Sequence, residues 1–444
     1  MKINTWIEKL YQAAQNSGAD EFQIIYLYTE ERALELLSGN INTSMNSENQ
    51  TVAIMLKKDG KIGCCESRNL DEIVIPEMID SAIRNANIID KAEENFFYDG
   101  KDAYASAEPY HPLAQKMASL NPIEFIKEVE KEILKADTRI LPSTSVSFYT
   151  YKQKRIIKNS LGVNIEEERE KASSNACVLA QDGKYKENGW KSIYFDKKED
   201  FNPSYLAKKA VEKAVSHLNG IKPESGPARV VFAPESLVNI LQYLGHCLSA
   251  EKINKKQSQF AEKLGKTVAS SIVTIIEDPL LKGGYRTSSF DNEGVPTYKK
   301  ELISKGVLKT YLYSLKTAHQ SGVKPTGNDA DNQIGSNLRN VYIEKGTVSK
   351  EDLLKKVEKG IYIDGERGFI QGIRTNTSGD FSFSASGFLI ENGEIGQPLE
   401  QFTVAGNYYQ MFKDIKLIAN DLEFQFNGVG SPTIWVDGLV IGGK

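Results

Sequence analysis

Histidine is scarce in this chain, and the scarcity limits the metal chemistry that the sequence allows. The four histidines are His111, His217, His246 and His319, and no two of them lie within one helical turn of each other. A catalytic zinc site of the common helical type takes two imidazoles from one helix, a third protein ligand from elsewhere, and a carboxylate that accepts a proton from the metal-bound water. The histidine spacing does not match such a site.

The cysteines do not form a recognisable metal-binding motif either. Cys64, Cys65, Cys177 and Cys247 include no C-x-x-C pair, so free thiols in a reducing compartment are the simplest interpretation. Cys247 follows His246 directly and forms the only Cys/His neighbour pair. Consecutive residues on a helix diverge by about 100°, which makes this a poor nucleophile and base pair. The sequence also lacks a G-x-S-x-G elbow, a Walker loop and a complete G-x-G-x-x-G motif.

The helix predicted to follow Pro234 carries both of these residues. Its apolar positions repeat at helical spacing and define one buried face; they are Leu237, Ile240, Leu241, Leu244 and Leu248. His246 falls on the opposite side of that helix. Two interpretations remain open for His246, a functional side chain or a solvent-facing histidine with no role.

Composition and charge narrow the functional classes. The 444 residues suffice for two or three domains, and 40% hydrophobic with 26% charged residues is typical of globular proteins. The 59 acids against 55 bases give a net charge of −4. Because the chain has no excess of basic residues to neutralise phosphates, we do not expect nucleic acid as a direct partner. Charge interrupts the first residues, and no run approaches the roughly 20 apolar residues of a membrane span. We therefore expect a cytoplasmic protein without a membrane partner.

Periodicity predicts an α+β fold in three parts, with an N-terminal α/β unit, a middle antiparallel-sheet domain with flanking helices, and a C-terminal β-rich domain. Residues 1–92 form the first unit, with strands at 21–28, 32–37, 51–56 and 61–67 between two helices. Residues 93–116, which contain Pro109 and Pro112, are predicted to be a linker. Residues 117–221 form the middle domain, in which Asn121 caps a helix and strands follow at 144–151, 153–158, 162–169, 173–181 and 184–195. The basic run 152–158 is interpreted as a solvated strand face.

The third domain is predicted over residues 222–444. Strands are expected at 229–232, 271–276, 299–303, 307–313, 381–390 and 433–440, with a hairpin turn at Asn392 and Gly393. Ser349 is predicted to cap a helix that ends at Gly360. Residues 290–297 are too polar and too rich in turn formers for a core element.

Short motifs in this third domain resemble the TldD/PmbA family. Together they occur in the order that the family shows, and the three-part layout of the chain agrees. The motifs are DNEGVPT at 291–297, PTGN at 325–328, TSGDFS at 377–382, ASGF at 385–388 with IENGEI at 390–395, VAGN at 404–407 and NDLE at 420–423.

The resemblance implies a particular kind of subunit. In the metal-bearing TldD kind, the helix reads His-Glu, three residues, His, and a cysteine near the carboxyl terminus completes the site. On this chain those helix positions fall on Leu241, Gln242 and His246, and the stretch FQFNGVG at 424–430 contains no cysteine. Leucine has no ligand atom, and glutamine has no proton-accepting carboxylate. The chain therefore resembles the metal-free PmbA/TldE kind, with no cofactor of its own and zinc in a partner subunit.

What the resemblance implies for function is a cytoplasmic heterodimer with a TldD-like subunit that degrades or matures unfolded or extended peptides. The family has also been described as a modulator of DNA gyrase, although the charge balance does not support direct DNA binding. Two alternatives stay open. The chain could be a peptide-binding or scaffold protein that acts alone as a homodimer, or a hydrolase with a non-metal nucleophile.

A metal-free subunit could hold peptide by adding it as a strand to a sheet edge, where glycine allows close backbone approach. The candidate residues are Thr326, Gly327, Asn328, Gly379, Asp380, Ser386 and Gly387. The alternative is that the glycines only shape turns and bulges and that 326–328 is an Asx-type turn without a ligand. Asp380 and Glu391 are similarly interpreted as solvated carboxylates rather than paired catalytic acids.

Overall fold

The computed structural model describes residues 3–89, 97–108, 114–329, 338–373, 377–425 and 427–443. The helices are α1 Ile3–Gln15, α2 Ile75–Ile88, α3 Ala114–Ser119, α4 Pro122–Ala136, α5 Pro203–Ser216, α6 Val238–Leu248, α7 Ala250–Asn254, α8 Leu315–Ser321, α9 Lys350–Val357, α10 Phe369–Ile373 and α11 Tyr408–Met411. Short 3₁₀ helices occur at Glu72–Val74, Lys198–Phe201 and Pro234–Leu237.

The strands of the described residues form three mixed or antiparallel sheets, which confirms the predicted α+β class. In chain order they are β1 Glu21–Leu37, β2 Asn40–Lys58, β3 Lys61–Ser67, β4 Ser145–Asn159, β5 Asn164–Asp182, β6 Tyr185–Tyr194, β7 Gly226–Phe232, β8 Ile275–Glu277, β9 Lys300–Ser304, β10 Val307–Leu308, β11 Val341–Ile343, β12 Gly360–Arg367, β13 Asp380–Glu391, β14 Glu394–Asn407, β15 Ile415–Ile418, β16 Glu423–Phe424, β17 Val429–Ser431 and β18 Ile434–Gly442.

The first sheet crosses the predicted boundary between the first and second segments. Its order is β3-β2-β1-β4-β5-β6, and β1 pairs with β4 in antiparallel register from Gln23 opposite Asn159 to Leu37 opposite Ser145. Helices α1 and α2 pack on one part of this sheet, and α4 and α5 pack on another. The two segments therefore share one hydrogen-bonded sheet, while the domain boundaries themselves stay a prediction.

The strands of this sheet are longer than predicted. The two predicted strands 21–28 and 32–37 are one strand, and the polar stretch 40–50, which was not predicted as a strand, is the first half of β2. The predicted pairs 144–151 with 153–158, and 162–169 with 173–181, likewise merge into β4 and β5. Polar residues in the middle of these strands broke the apolar pattern, but ladder pairing with long neighbours keeps the backbone extended.

The predicted linker contains packed residues. Residues 90–96 and 109–113, including His111, Pro109 and Pro112, lie outside the described residues, and α3 begins at Ala114. Between those gaps, Tyr98 is buried against Ile157, Val163 and Phe290, and its carbonyl accepts a 2.8 Å hydrogen bond from Asn159 Nδ2. Aromatic side chains of residues 97–108 therefore fill a junction between the first sheet and the loop 290–297, while the linker itself stays a prediction.

A barrel forms the centre of the third segment. The sheet order is β14-β13-β12-β7-β18-β15, and an additional pairing of β14 with β18 closes five of these strands into a ring. A neighbouring sheet has the order β10-β9-β8-β11-β17-β16. One hydrophobic cluster joins the barrel, the neighbouring sheet and α6.

Boundaries in this segment shift from the predicted ones. The strand predicted at 271–276 is only β8, and the one predicted at 307–313 shortens to β10. The helix that Ser349 caps ends at Val357 instead of Gly360, because Glu358 turns to a φ of 61°. The final strand runs two residues past the predicted end.

Glycine is required at position 387 for steric reasons. A Cβ at Gly387 would lie 2.0 Å from the carbonyl oxygen of Tyr362 on the neighbouring strand. We therefore predict that Gly387→Ala lowers the free energy of unfolding by about 1–3 kcal/mol, since overpacking forces the strands apart. Chemical denaturation would measure the change.

Gly396→Ala is the matched control on the same hairpin. A Cβ there meets its nearest neighbour at 3.5 Å, which is ordinary contact, and the position is exposed. Equal stability of the two variants would contradict the steric argument.

Candidate functional site

Helix α6 carries Leu241, Gln242 and His246, the positions on which the family resemblance places two histidines and a glutamate. Leu241 is fully buried in the cluster that joins the barrel and the neighbouring sheet. Gln242 and His246 lie one turn apart on the same face and are half-buried. The His246 ring stacks on the Tyr243 ring, with centroids 5.1 Å apart and an interplanar angle of 21°. The predicted separation of His246 from the apolar stripe agrees with this arrangement.

Hydrogen bonds from surrounding elements fix the position of α6. Ser236 Oγ, in the preceding 3₁₀ turn, donates to the carbonyl oxygen of Ala233 at 2.8 Å. The Tyr408 hydroxyl donates to the Ile240 carbonyl at 3.0 Å, and the Tyr243 hydroxyl donates to the Ile373 carbonyl at 3.3 Å. Polar anchors before the helix and in its first half fix its rotation, and so fix which side chains are buried.

Cys247 is not placed to act as a nucleophile. The side chain is 1% exposed, and burial raises the pKa of its thiol to about 12. The Tyr409 hydroxyl donates a hydrogen bond to Sγ at 3.6 Å. Because the thiolate is the reactive form of cysteine, a buried thiol with a raised pKa is unsuited to nucleophilic attack. The hydrolase alternative therefore loses the Cys/His pair on which it depended.

The residues on α6 do not fit a resident zinc ion. Leu241 supplies no donor atom, and Gln242 supplies a weak neutral amide instead of a carboxylate, which leaves the imidazole of His246. Within the described ranges, no group of three or more His, Cys, Asp or Glu side chains is arranged to hold a metal ion. The resemblance places a third ligand in the stretch 424–430, which contains no cysteine. The structure describes this stretch except for Phe426.

The 326–328 loop is held by buried polar contacts. Thr326 and Asn328 are 3% and 1% exposed. Asn328 Nδ2 donates to both carboxylate oxygens of Glu277, at 2.8 and 2.9 Å, and Lys300 Nζ donates to the same carboxylate at 2.9 Å. The loop thus supplies hydrogen bonds to the buried ion pair of Glu277 and Lys300, which such a pair needs to offset the loss of hydration. Contact between this loop and a peptide stays a prediction.

The close packing of Gly327 supports a structural role for that glycine. Its φ is +69°, and a Cβ there would lie 2.7 Å from the Pro296 carbonyl oxygen. Only glycine combines that backbone conformation with that approach.

Of the predicted residues at 379–387, Gly379 directly precedes β13 and the others lie on it. Gly379 has a φ of +83° and packs against the ring of Tyr409, which a Cβ would meet at 2.5 Å. Asp380 is exposed; hydrogen bonds from Asn407 Nδ2 at 2.9 Å and from Ser378 Oγ at 2.6 Å lower the pKa of its carboxyl group. Ser386 and Gly387 lie in the middle of the strand, where Gly387 is paired with Ile363 of β12 and Leu399 of β14.

This pairing excludes peptide addition beside Ser386 and Gly387. From Ser384 to Ile390 the strand is hydrogen-bonded to β12 on one side and to β14 on the other, so it has no free edge there, whereas among the described residues Asp380 to Phe383 are paired with β14 alone. Asp380 and Glu391 stand at opposite ends of the strand, roughly 36 Å apart at 3.3 Å per residue, and cannot act as a catalytic pair. A peptide-binding role for the residues themselves is a separate matter and stays a prediction.

Arg155 is the site residue that sequence reasoning missed. Lys152 and Lys154 in the same basic run form ion pairs across to Glu168 and Glu166, as a solvated strand face would. Arg155 instead is 6% exposed, and burial lowers the pKa of its guanidinium to about 10.

The guanidinium of Arg155 joins the first sheet to the loop 290–297. It lies 4.4 Å from the ring centroid of Phe290, and Nη2 donates to the Phe290 carbonyl at 2.9 Å. Nη1 donates to Asn292 Oδ1 at 2.5 Å. The two residues are 137 positions apart, so no local signal in the sequence could have predicted their contact.

Glu293 in the same loop is a buried acid. Burial, followed by the charges of Asp291 and Asp329, raises the pKa of its carboxyl group from 4.5 to about 9. Its Oε2 accepts a hydrogen bond from the backbone N–H of Leu315 at 2.7 Å. The folded chain therefore holds a proton on Glu293 at neutral pH, whereas the unfolded chain releases it.

A pH-dependent stability follows from this shift. Since the unfolded state binds fewer protons between pH 4.5 and about 9, the stability contributed by Glu293 falls as pH rises through that window. We predict that Glu293→Gln, which keeps the acceptor oxygen, has a higher Tm than the wild-type chain at pH 8 and a nearly equal Tm at pH 5. Thermal unfolding across that range would measure the difference, with exposed Glu391→Gln as the control. A pH-independent difference would show that Glu293 is ionised in the folded state.

Comparison with known proteins places these features in a family. The sequence profile of the PmbA/TldA metallopeptidase central domain matches residues 113–218, and that of the C-terminal domain matches residues 225–443. The chain belongs to the TldD/PmbA family. The α6 positions and the motifs of the third segment lie within these matched ranges.

Relatives extend the likeness over nearly the full chain. Metalloprotease MJ0996 of Methanocaldococcus jannaschii is 29% identical, over 96% of this chain and 94% of its own. Metalloprotease PmbA of Escherichia coli O157:H7 is 27% identical, over 87% of this chain and 84% of its own. A crystal structure of a Thermotoga maritima protein, described as a candidate modulator of a DNA gyrase, superposes with a TM-score of 0.91 at 28% identity and covers 99% of this chain and 100% of that one.

Across the described residues, none of the helices combines the length and the apolar character that a bilayer crossing requires.

Proposed function

We propose that this chain is the non-catalytic, peptide-binding subunit of a TldD/TldE-like metallopeptidase heterodimer in the cytoplasm. The partner is a TldD-like subunit that supplies zinc, and the substrates are unfolded or extended peptides that the pair degrades or matures. The observation that carries the proposal is the chemistry of α6. Leu241 is sealed in the core, Gln242 replaces the carboxylate, and His246 is the remaining imidazole of the pattern.

The burial of Leu241 supports the proposal more strongly than its identity alone. Its neighbours in the cluster include Ile240, Leu244, Phe232 and Ile363, which are all inaccessible to solvent. A metal ligand has to face a cavity that water or substrate can enter. Position 241 is surrounded by packed apolar side chains, so a side chain there stabilises the fold and cannot reach a metal ion in a cavity.

A second line of support is the absence of a free nucleophile on the same helix. The buried thiol of Cys247 lacks the exposure and the lowered pKa of catalytic cysteines. Hydrolysis by this subunit would therefore need a group supplied from elsewhere. The gyrase-modulator description attached to the Thermotoga relative is not part of the proposal, because the acidic balance of this chain disfavours direct contact with DNA.

Co-expression tests the heterodimer directly. The chain should be produced with a family member from the same genome that retains both histidines and the glutamate on the equivalent helix. We expect the two chains to co-purify, and we expect cleavage of an unfolded peptide only when both are present. Cleavage by this chain alone would contradict the proposal. A stable homodimer that does not bind the second family member would favour the scaffold alternative.

Restoring the helix motif should not restore activity. We predict that the double variant Leu241→His and Gln242→Glu cleaves no peptide on its own, because the third ligand is missing and position 241 is enclosed by apolar side chains. An imidazole buried there without a partner should also lower stability by about 1–3 kcal/mol.

Peptidase assays with added zinc, together with thermal unfolding, would check both parts of this prediction. Gln242→Glu alone is the matched control, since position 242 is half-buried and should accept a carboxylate with little loss of stability. Turnover by the folded double variant would show that the argument from ligand number is wrong.

A further inference from the structure

A large cleft lies on the molecule away from α6. We call it the inter-sheet cleft; it has a volume of about 1030 Å³ and is lined by residues 190–194 of β6, part of α5, the loop 281–285 and residues 422–425. None of the predicted site residues lines it. Pockets for small ligands span roughly 300–1,000 Å³, so this cleft is as large as the largest of them.

Two sheet edges open to this cleft. Strand β6 is the last strand of the first sheet, and β16 is the last strand of the sheet that neighbours the barrel. Over the described parts of the chain, β6 pairs only with β5, and β16 pairs only with β17. An edge strand carries a row of backbone N–H and C=O groups that can pair with an added strand.

Exposed aromatic side chains stand on both edges. Trp190 on β6 is 49% exposed, and Phe424 on β16 is 42% exposed. Tyr194 and Tyr285 also line the cleft and meet edge to face with ring centroids 4.6 Å apart. Tryptophan, and aromatic residues generally, are enriched where binding energy concentrates in interfaces.

The charges that line the cleft balance. Six lysines stand against six acids, and several are already paired within the chain, as in the 2.9 Å contact of Lys209 with Glu212 and the 2.5 Å contact of Lys213 with Asp364. A cleft without net charge does not select a polyanion such as nucleic acid. It suits a ligand that is recognised through its main chain and its apolar side chains.

One residue that lines the cleft has an acceptor atom without a hydrogen bond from the described residues. Asp364 lines the cleft and is 8% exposed. Its Oδ2 binds Lys213 and His217, while its Oδ1 is buried and accepts no hydrogen bond from the described residues. Buried polar atoms are almost always paired in folded proteins, and an unpaired one calls for an explanation such as a missing ligand or water.

We propose that the inter-sheet cleft binds an extended peptide segment. The peptide main chain pairs with the edge of β6, and apolar side chains at alternate positions pack against Trp190 and Phe424. This inference rests on the proposed peptide-handling role, but it places the peptide at the edge of β6 instead of at β13, whose middle part is paired on both sides. Main-chain pairing in a cleft without net charge would bind peptides of varied sequence and charge, as a subunit that handles many peptides requires.

Fluorescence anisotropy with a labelled ten-residue peptide of alternating apolar and polar residues tests the proposal. The peptide is titrated with the full chain, alone and in complex with its partner. Trp190→Ala and Phe424→Ala should each weaken binding about tenfold or more, as expected for buried aromatic anchors. Tyr298→Ala is the matched control, because Tyr298 is 46% exposed but does not line the cleft.

A second probe tests the main-chain pairing. The same peptide with N-methyl groups at alternate residues, made in both registers, loses the N–H donors on one edge at a time. One register should bind about as well as the parent peptide, and the other should bind at least about tenfold more weakly, since only one edge of an added strand faces β6.

The outcomes separate this inference from the proposed function. Binding that neither cleft variant changes would overturn the inference while leaving the heterodimer proposal intact. Absence of peptide binding, in a pair that still cleaves peptides, would overturn it in the same way. If the two chains form no active pair but this chain still binds peptide in a way that depends on Trp190, the proposed function is contradicted. The proposal that the inter-sheet cleft binds peptide would then be supported.

Discussion

The burial of the apolar face of α6 is the constraint on which the account depends. Helix, barrel and neighbouring sheet share one hydrophobic cluster, and Leu241 lies inside it with no exposed surface. Because position 241 is part of this core, the helix cannot offer a second metal ligand beside His246. The hydroxyl groups of Tyr408 and Tyr243, bonded to main-chain carbonyls, hold the rotation that keeps Leu241 inside and leaves Gln242 and His246 at the margin.

The motifs that relate this chain to the TldD/PmbA family have architectural roles in the structure. Asn328 bridges to the buried Glu277 beside Lys300, Gly387 allows β12 to approach β13, and Asn292 receives the guanidinium of Arg155 from the first sheet. These contacts tie the segments of the chain into one body. A subunit can therefore keep the family fold while its helix positions lose their ligands, because the fold and the metal chemistry depend on different residues.

Sequence reasoning recovered what local periodicity encodes. The α+β class, the cap at Asn121, the hairpin turn at Asn392 and Gly393, and the apolar stripe of α6 follow from spacing within a few residues. Contacts between distant residues could not be predicted in this way. The single sheet formed by β1 and β4, the closure of the barrel by β14 and β18, and the burial of Arg155 against Phe290 depend on tertiary pairing, for which one sequence carries no signal. The polar first half of β2 was missed because its side chains lie at the surface and its neighbours keep it extended.

Metal content is the most direct measure of the central claim. The chain should be purified without its partner, equilibrated with one equivalent of zinc, desalted, and analysed by mass spectrometry for zinc per polypeptide, with His246→Ala treated identically. The account predicts far less than one zinc ion per chain, with no difference between the two proteins. One tightly held ion per chain that disappears in His246→Ala would contradict it.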